Sequence, residues 1–263
     1  MEQNDVIKTI QNRVSLRNYD TKEITKEHLD IILDSAMAAP TAGNQMLYSI
    51  IVIKDPQTKE KLSKSCDNQP FIATAPVLLL FVADQSKWFQ YYKQNGVPAF
   101  AQEQGLLFEA PQESDLILAC EDTMAAAQNA VIAAEAFGIG SCYIGDIIEH
   151  YEYHRDLFQL PDYVFPLALL CLGYYKPDYP RVHRKRFDKK FVVFSETYHS
   201  LTPTEYQEMF AEHEKTYAPT NPYGADNYAK MFYARKTGAT FSKEMARSVR
   251  VALKHWDGAI QKP

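Results

Sequence analysis

Arg13, Ser15 and Arg17 alternate along a short stretch, Arg-Val-Ser-Leu-Arg-Asn-Tyr, at positions 13–19. In an extended backbone, residues two apart project from one face, so two guanidiniums and a hydroxyl converge on a single ligand. That donor set suits a phosphate, whose oxygens match the planar guanidinium fork. Arg184 and Arg186 form a second basic pair far along the chain, inside a lysine- and arginine-rich run at 181–190. Two remote basic pairs can clamp one phosphate. The plainer alternatives are a solvated turn, with Arg17 paired to Asp20 or Glu23, and a charged edge at 181–190.

Other chemistry is sparse. Glycines at 138, 140 and 145 fall around Ser141-Cys142-Tyr143-Ile144, but the third is misplaced for a dinucleotide fingerprint and a long helix precedes them instead of a strand. They read better as places where backbone approaches a flat ligand and offers it amide N–H groups. His150 and His154 have a spacing of four, but they lie in a polar segment and read as surface residues, with no metal site implied. No nucleophile elbow, P-loop or zinc-protease motif occurs, so redox chemistry would need a cofactor. Cys66, Cys120, Cys142 and Cys171 form no C-x-x-C pair and read as free thiols, which fits a reducing cytoplasm. The chain carries a formal net charge of −5, which argues against a general nucleic-acid or anionic-membrane surface. The polar N-terminus and the short apolar runs imply no export signal or membrane span.

The elements that must hold these residues follow from periodicity. Val6, Ile7, Ile10 and Val14 recur at helical spacing, as do Leu29, Ile32, Leu33 and Met37 behind Thr25, a candidate N-cap. Residues 48–53, 75–83, 141–144 and 167–172 read as buried strands, and 191–194 adds a further candidate. The longest helix is expected over 114–137, alanine-rich and closed by Gly138. Helices are expected again at 203–217 and 242–256, with a loop at 218–226 between them. The fold class is α+β: a central mixed sheet flanked by helices, a long central helix and a C-terminal helical extension. The division expected is 1–195 for the main domain and 196–263 for the extension, packed on the same domain or on a partner.

In this order the pieces resemble the nitroreductase family of FMN-dependent homodimers. The resemblance rests on Arg13-x-Ser15-x-Arg17-x-Tyr19, the loop Ala39-Pro40-Thr41-Ala42-Gly43-Asn44-Gln45, Gln69, Ala127-Gln128-Asn129-Ala130 through Tyr143-Ile144-Gly145, and Arg184-x-Arg186. Tyr143-Ile144-Gly145 replaces the Pro-x-Glu-Gly of the other main branch, so the chain is most similar to the NADPH-dependent nitro and flavin reductases. The resemblance implies FMN as cofactor, with Arg13, Ser15, Arg17, Arg184 and Arg186 on its phosphate and ribityl chain. Val14 replaces a usual basic residue and contributes backbone alone. Gln69 would bond the pyrimidine edge; Tyr143, Ile144, Gly145 and Asp146 would lie by the flavin N5 region. Pro40, Thr41, Ala42 and Asn44 would come from the other subunit. Asp146 stands where the family often has glycine, and a carboxylate there disfavours an anionic reduced flavin.

The activity so implied is ping-pong reduction of nitroaromatics, quinones or flavins by NADPH or NADH, with no catalytic side chain. Arg235 and Lys236 are candidates for the NADPH 2′-phosphate, against a solvated helix end. The aromatic segment 88–108 could stack on flat acceptors or simply pack in the core. Alternatives within the same fold are flavin fragmentation or dehalogenation, and a non-catalytic flavin-binding protein with 181–190 as a docking patch.

Overall fold

The computed structural model describes residues 4–259. In chain order the helices and strands are α1 (Asp5–Asn12), α2 (Lys26–Met37), β1 (Tyr48–Ile53), α3 (Pro56–Ser65), α4 (Pro70–Thr74), β2 (Val77–Asp84), α5 (Ser86–Gln94), α6 (Val97–Glu103), α7 (Glu113–Ala136), β3 (Ile139–Ile144), α8 (Tyr151–Leu157), β4 (Val164–Tyr174), α9 (Pro203–Glu214), α10 (Tyr228–Arg235) and α11 (Thr240–Leu253). The chain divides into two compact units. One comprises the residues up to Arg181 and those from Glu244 onward; the other is Val182–Lys243.

The first unit is built on a four-stranded sheet of order β1-β2-β4-β3. β2 is buried along its whole length because it is covered on both faces. Val77, Leu79 and Phe81 meet α2 and α7, whereas Leu78, Leu80 and Val82 face α3, α4 and the 13–19 segment. This period-two division explains why β2 reads as an unbroken apolar run rather than an alternating one. On α7, Ala126, Ala127, Ala130 and Ala134 are buried, and their small side chains let the helix lie close to the sheet and to Ile32 and Ala36 of α2.

Local chemistry sets several boundaries. Thr25 caps α2, its hydroxyl accepting from His28 N at 3.2 Å. Gly138, at φ +68°, turns the chain from α7 into β3, a conformation that favours glycine. Pro166 sits in β4 beside a register shift between Phe81 and Val82, an irregularity of the kind that accommodates a residue without a backbone donor.

Two expectations change. The ladders are all antiparallel, and the parallel component of the expected mixed sheet is confined to an isolated bridge between Ser15 and Ser141. The strand expected at 191–194 does not form. Asp188 instead caps a short 3-10 turn, Lys189–Phe191, by accepting from Lys190 N, and the turn takes up the local hydrogen bonds.

In the second unit, Phe187 packs against Phe210 and His213, and Tyr228 stacks on Phe232. α9 begins with a reciprocal cap between Thr202 and Glu205. Among the described residues, no helix is long and apolar enough to cross a membrane.

Candidate active site

The 13–19 segment leaves α1 at Arg13, whose backbone is extended. Val14 and Leu16 turn inward, at 8% and 0% exposure, while Ser15 and Arg17 are exposed and Arg13 is half-buried. The alternation expected of extended backbone is therefore present. The segment docks along β3: Leu16 N donates to Ser141 O at 2.9 Å, and Tyr19 bridges to Tyr175.

Two glycines make this docking possible. Gly140 and Gly173 are register partners in the β3–β4 ladder. A Cβ on Gly140 would fall 2.6 Å from Leu16 Cδ2, and one on Gly173 would fall 2.5 Å from Tyr19 Cδ1. Gly140 thus admits a neighbouring side chain, which corrects its reading as a point of approach for a flat ligand. Gly145 differs: it is exposed, and a Cβ there would have only Met245 Cε, at 4.0 Å, for a neighbour.

A latch holds the start of the segment. Arg181 pairs with the buried Glu135 of α7, lies 4.0 Å from the centre of the Tyr175 ring, and donates to Asn12 O at 2.9 Å. A cation at the carbonyl end of α1 is favourable there. Tyr175 Oη donates to Glu135 Oε2 at 2.8 Å and to Val14 O at 3.3 Å. Arg181 consequently has a structural task, although it had been grouped with the basic run.

Among the described residues neither Arg13 nor Arg17 forms an ion pair, so the pairing of Arg17 with Asp20 or Glu23 is not found there. Arg17 instead lies 5.6 Å from the centre of the Phe71 ring. Both guanidiniums are close enough to Cys142 to oppose the upward push that burial gives its thiol, and the Ser15 hydroxyl acts in the same direction. The Asp146 carboxylate adds to the upward push. Tyr143 feels Arg13, though burial dominates and raises its phenol. Arg13, Ser15, Arg17, Tyr143 and Asp146 are therefore gathered around one end of β3.

Gln69 joins them from the turn before α4. Its Nε2 donates to Cys66 O at 3.0 Å and to Asp146 Oδ2 at 2.7 Å. Asp146 opens a 3-10 turn, Gly145–Ile148, that continues β3. Behind it lies Glu149, only 4% exposed, in hydrogen-bonding reach of Asp146 and with Oε1 unpartnered. Burial first, then the charges of Asp146, Asp67 and Glu244, raise the Glu149 carboxyl to about 7. Sequence reasoning missed Glu149; an acidic residue three positions after Asp146 was the available signal.

The loop carrying Pro40, Thr41, Ala42 and Asn44 is organised by another missed residue, Asp122 of α7. Its carboxylate accepts from Thr41 Oγ1, from Ala42 N at 2.9 Å and from Leu47 N at 3.2 Å. Thr41 Oγ1 also accepts from Met46 N at 2.8 Å, and Trp88 Nε1 donates to Gln45 O at 2.8 Å. Gly43, Asn44 and Met46 all have positive φ, a conformation that non-glycine residues hold only when their surroundings enforce it. Among the described residues, no hydrogen bond joins this loop to the Arg13–Gln69–Asp146 group.

Arg184 and Arg186 belong to the second unit, where both are exposed on a stretch without regular structure. Arg235 ends α10 and Lys236 caps it, both exposed, with Lys236 Nζ 5.2 Å from the centre of the Phe241 ring. The aromatic segment divides: Phe89 stacks on Phe108 and meets Tyr163, whereas Tyr91 and Phe100 are exposed. His154 is fully buried, with Nε2 2.8 Å from Ser65 Oγ, which corrects its reading as a surface residue; burial lowers it to about 4. Cys66, Cys142 and Cys171 are buried and Cys120 half-buried, all as free thiols.

Comparison with known proteins agrees with this architecture. The family model described as "Nitroreductase family" matches residues 10–174. An FMN reductase (NADPH) of Bacillus subtilis is 31% identical over 214 residues, covering 81% of this chain and 82% of the relative. An FMN reductase [NAD(P)H] of the same organism is 30% identical over 204 residues, covering 74% and 75%. The solved structure of NfrA2 from B. megaterium has a TM-score of 0.77 at 27% identity, covering 99% of this chain and 100% of that one. On a family match that spans all four strands of its sheet, including both glycine-seated ones, the chain belongs to the nitroreductase family.

Proposed function

We propose that the chain is an FMN-dependent NAD(P)H oxidoreductase that reduces flavins, nitroaromatics or quinones in alternating half-reactions. The observation that carries this reading is the convergence of two guanidiniums without an ion-pair partner among the described residues, a hydroxyl and the Gln69 amide at one end of β3. This donor set fits FMN: Arg13, Ser15 and Arg17 match a phosphate, and Gln69 matches a polar ring edge. Gly145 adds an exposed position where no protein contact demands glycine. The relatives named FMN reductases support a nicotinamide donor.

When bound, FMN supplies a two-electron carrier that takes hydride from a reduced nicotinamide and yields it to an acceptor. The chain's own residues bind and orient. Arg13, Ser15 and Arg17 hold phosphate charge, Val14 lends backbone, and Tyr143, Ile144, Gly145 and Asp146 border the ring. Arg184 and Arg186 are proposed as further phosphate donors, and Arg235 and Lys236 as partners of the NADPH 2′-phosphate.

A homodimer is part of this reading. Among the described residues the 40–45 loop makes no hydrogen bond to its own chain's β3 cluster, and we propose that it meets a second copy instead. α1 also leaves Val6, Ile7 and Ile10 exposed, an apolar face of the kind an interface covers. The free thiols fit the cytoplasm, which we propose as its setting.

Purified protein is expected to be yellow and to bleach anaerobically on adding NADPH. Protein that takes up no FMN on reconstitution refutes the reading.

A further inference from the structure

A glutamine amide offers two N–H donors and one carbonyl acceptor. In Gln69 both donors are engaged within the protein, by Cys66 O and Asp146 Oδ2, so Oε1 is the one group left to meet a ligand. The orientation is enforced from both sides. Cys66 O accepts only and Asp146 Oδ2 accepts from the same nitrogen, so a reversed amide would set its oxygen against both of them.

Asp146 is itself held. Glu149 N donates to Asp146 O at 3.0 Å, and the Glu149 carboxyl lies in hydrogen-bonding reach of the Asp146 carboxyl. Glu149 is 4% exposed, and the side-chain charges that act on its carboxyl are those of Asp146, Asp67 and Glu244. The Arg247 guanidinium is turned to Glu152 and Glu244.

We infer that Asp146, backed by Glu149, is a positioning residue that locks the Gln69 amide as an acceptor, so that the pocket selects a ligand presenting a ring N–H at that edge. The inference rests on the FMN reading above, in which the matching donor is the imide N–H of the pyrimidine ring.

The test compares FMN with 3-methyl-FMN, in which that N–H is replaced, by flavin fluorescence quenching on reconstituted apoprotein. Wild-type protein is expected to bind FMN about tenfold more tightly than the methylated form. Asp146→Ala is expected to bring the ratio near unity, and Asp146→Asn, which keeps an acceptor oxygen, to retain most of it. A wild-type ratio near unity, or a full ratio in Asp146→Ala, overturns the inference. Should Asp146→Ala not fold, wild type loaded with FMN labelled with nitrogen-15 at the imide decides. A hydrogen-bonded, exchange-protected N–H supports the lock, and a freely exchanging one overturns it. Wild-type protein that binds neither flavin refutes the FMN reading itself, and the inference falls with it.

Discussion

Gly140 and Gly173 face one another across the β3–β4 ladder, and each seats one side chain of the 13–19 segment, Leu16 on the first and Tyr19 on the second. The absence of two Cβ atoms therefore sets how closely Arg13 and Arg17 approach the sheet. Gly140→Ala or Gly173→Ala is expected to cost about 1–3 kcal/mol in denaturant unfolding, the usual penalty of overpacking, and to weaken FMN binding as well. Gly145→Ala, with open space around its Cβ, should leave stability unchanged. Equal stability losses at all three positions would contradict this assignment.

Asp122 is the single carboxylate on which the 41–47 loop hangs. Removing it leaves the Ala42 and Leu47 amides without their acceptor, and Asp122→Ala is expected to lose about 2–4 kcal/mol. Trp88 reports on the loop through its bond to Gln45 O. In a Trp256→Phe background, its emission should shift red and become more quenchable when Asp122 is replaced. An unchanged spectrum would mean that the loop keeps its conformation without the carboxylate.

Glu149 and His154 set opposite pH limits on stability. The Glu149 carboxyl titrates at about 7 when folded, against its ordinary 4.5, so the folded chain holds a proton that the unfolded chain releases. Its contribution is complete below about 4.5, drains as pH rises toward 7, and is flat beyond. His154 is lowered from 6.5 to about 4, so its contribution is complete above 6.5 and is lost as pH falls toward 4. Glu149→Gln should therefore raise the denaturant midpoint relative to wild type at pH ~8 and do much less at pH ~5. Parallel midpoints at both pH values would remove Glu149 from this account.

Arg17 and Arg235 should separate two functions. Arg17→Ala is expected to weaken FMN binding about tenfold or more, as loss of a charge-assisted contact does, while enzyme that retains FMN reduces it at a near-normal rate. Arg235→Ala is expected to leave FMN affinity alone and to narrow the preference for NADPH over NADH. Both follow from equilibrium titration and anaerobic stopped-flow reduction. An unchanged nucleotide preference would take Arg235 out of the 2′-phosphate proposal.

How much of this was legible depended on the range of the interactions involved. β1 reads from Tyr48 to Ile53 because its run is short and bounded by Lys54-Asp55-Pro56, and α7 reads to its end because Gly138 must adopt positive φ. The alternation of Arg13, Ser15 and Arg17 is likewise local. The antiparallel pairing was not legible, because strand order joins residues as distant as Leu78 and Cys171. Asp122, Glu149 and the burial of His154 were missed for the same reason. Each lies in ordinary helix or turn sequence, and its partners, Ala42, Gln69's neighbour Asp146 and Ser65, are fixed only by packing.

The first unit is discontinuous in the chain, since the stretch from Glu244 onward, which holds most of α11, follows the whole of Val182–Lys243. Ala252 and Trp256 are fully buried among Leu47, Phe89, Tyr151 and Tyr163 of that unit. During synthesis the sheet and α7 emerge early, but this part of the core stays open until Ala252 and Trp256 have followed them. A nascent or C-terminally clipped chain would thus expose a greasy socket beside α5 and α8, and truncation just before Trp256 should yield aggregation instead of a shorter enzyme.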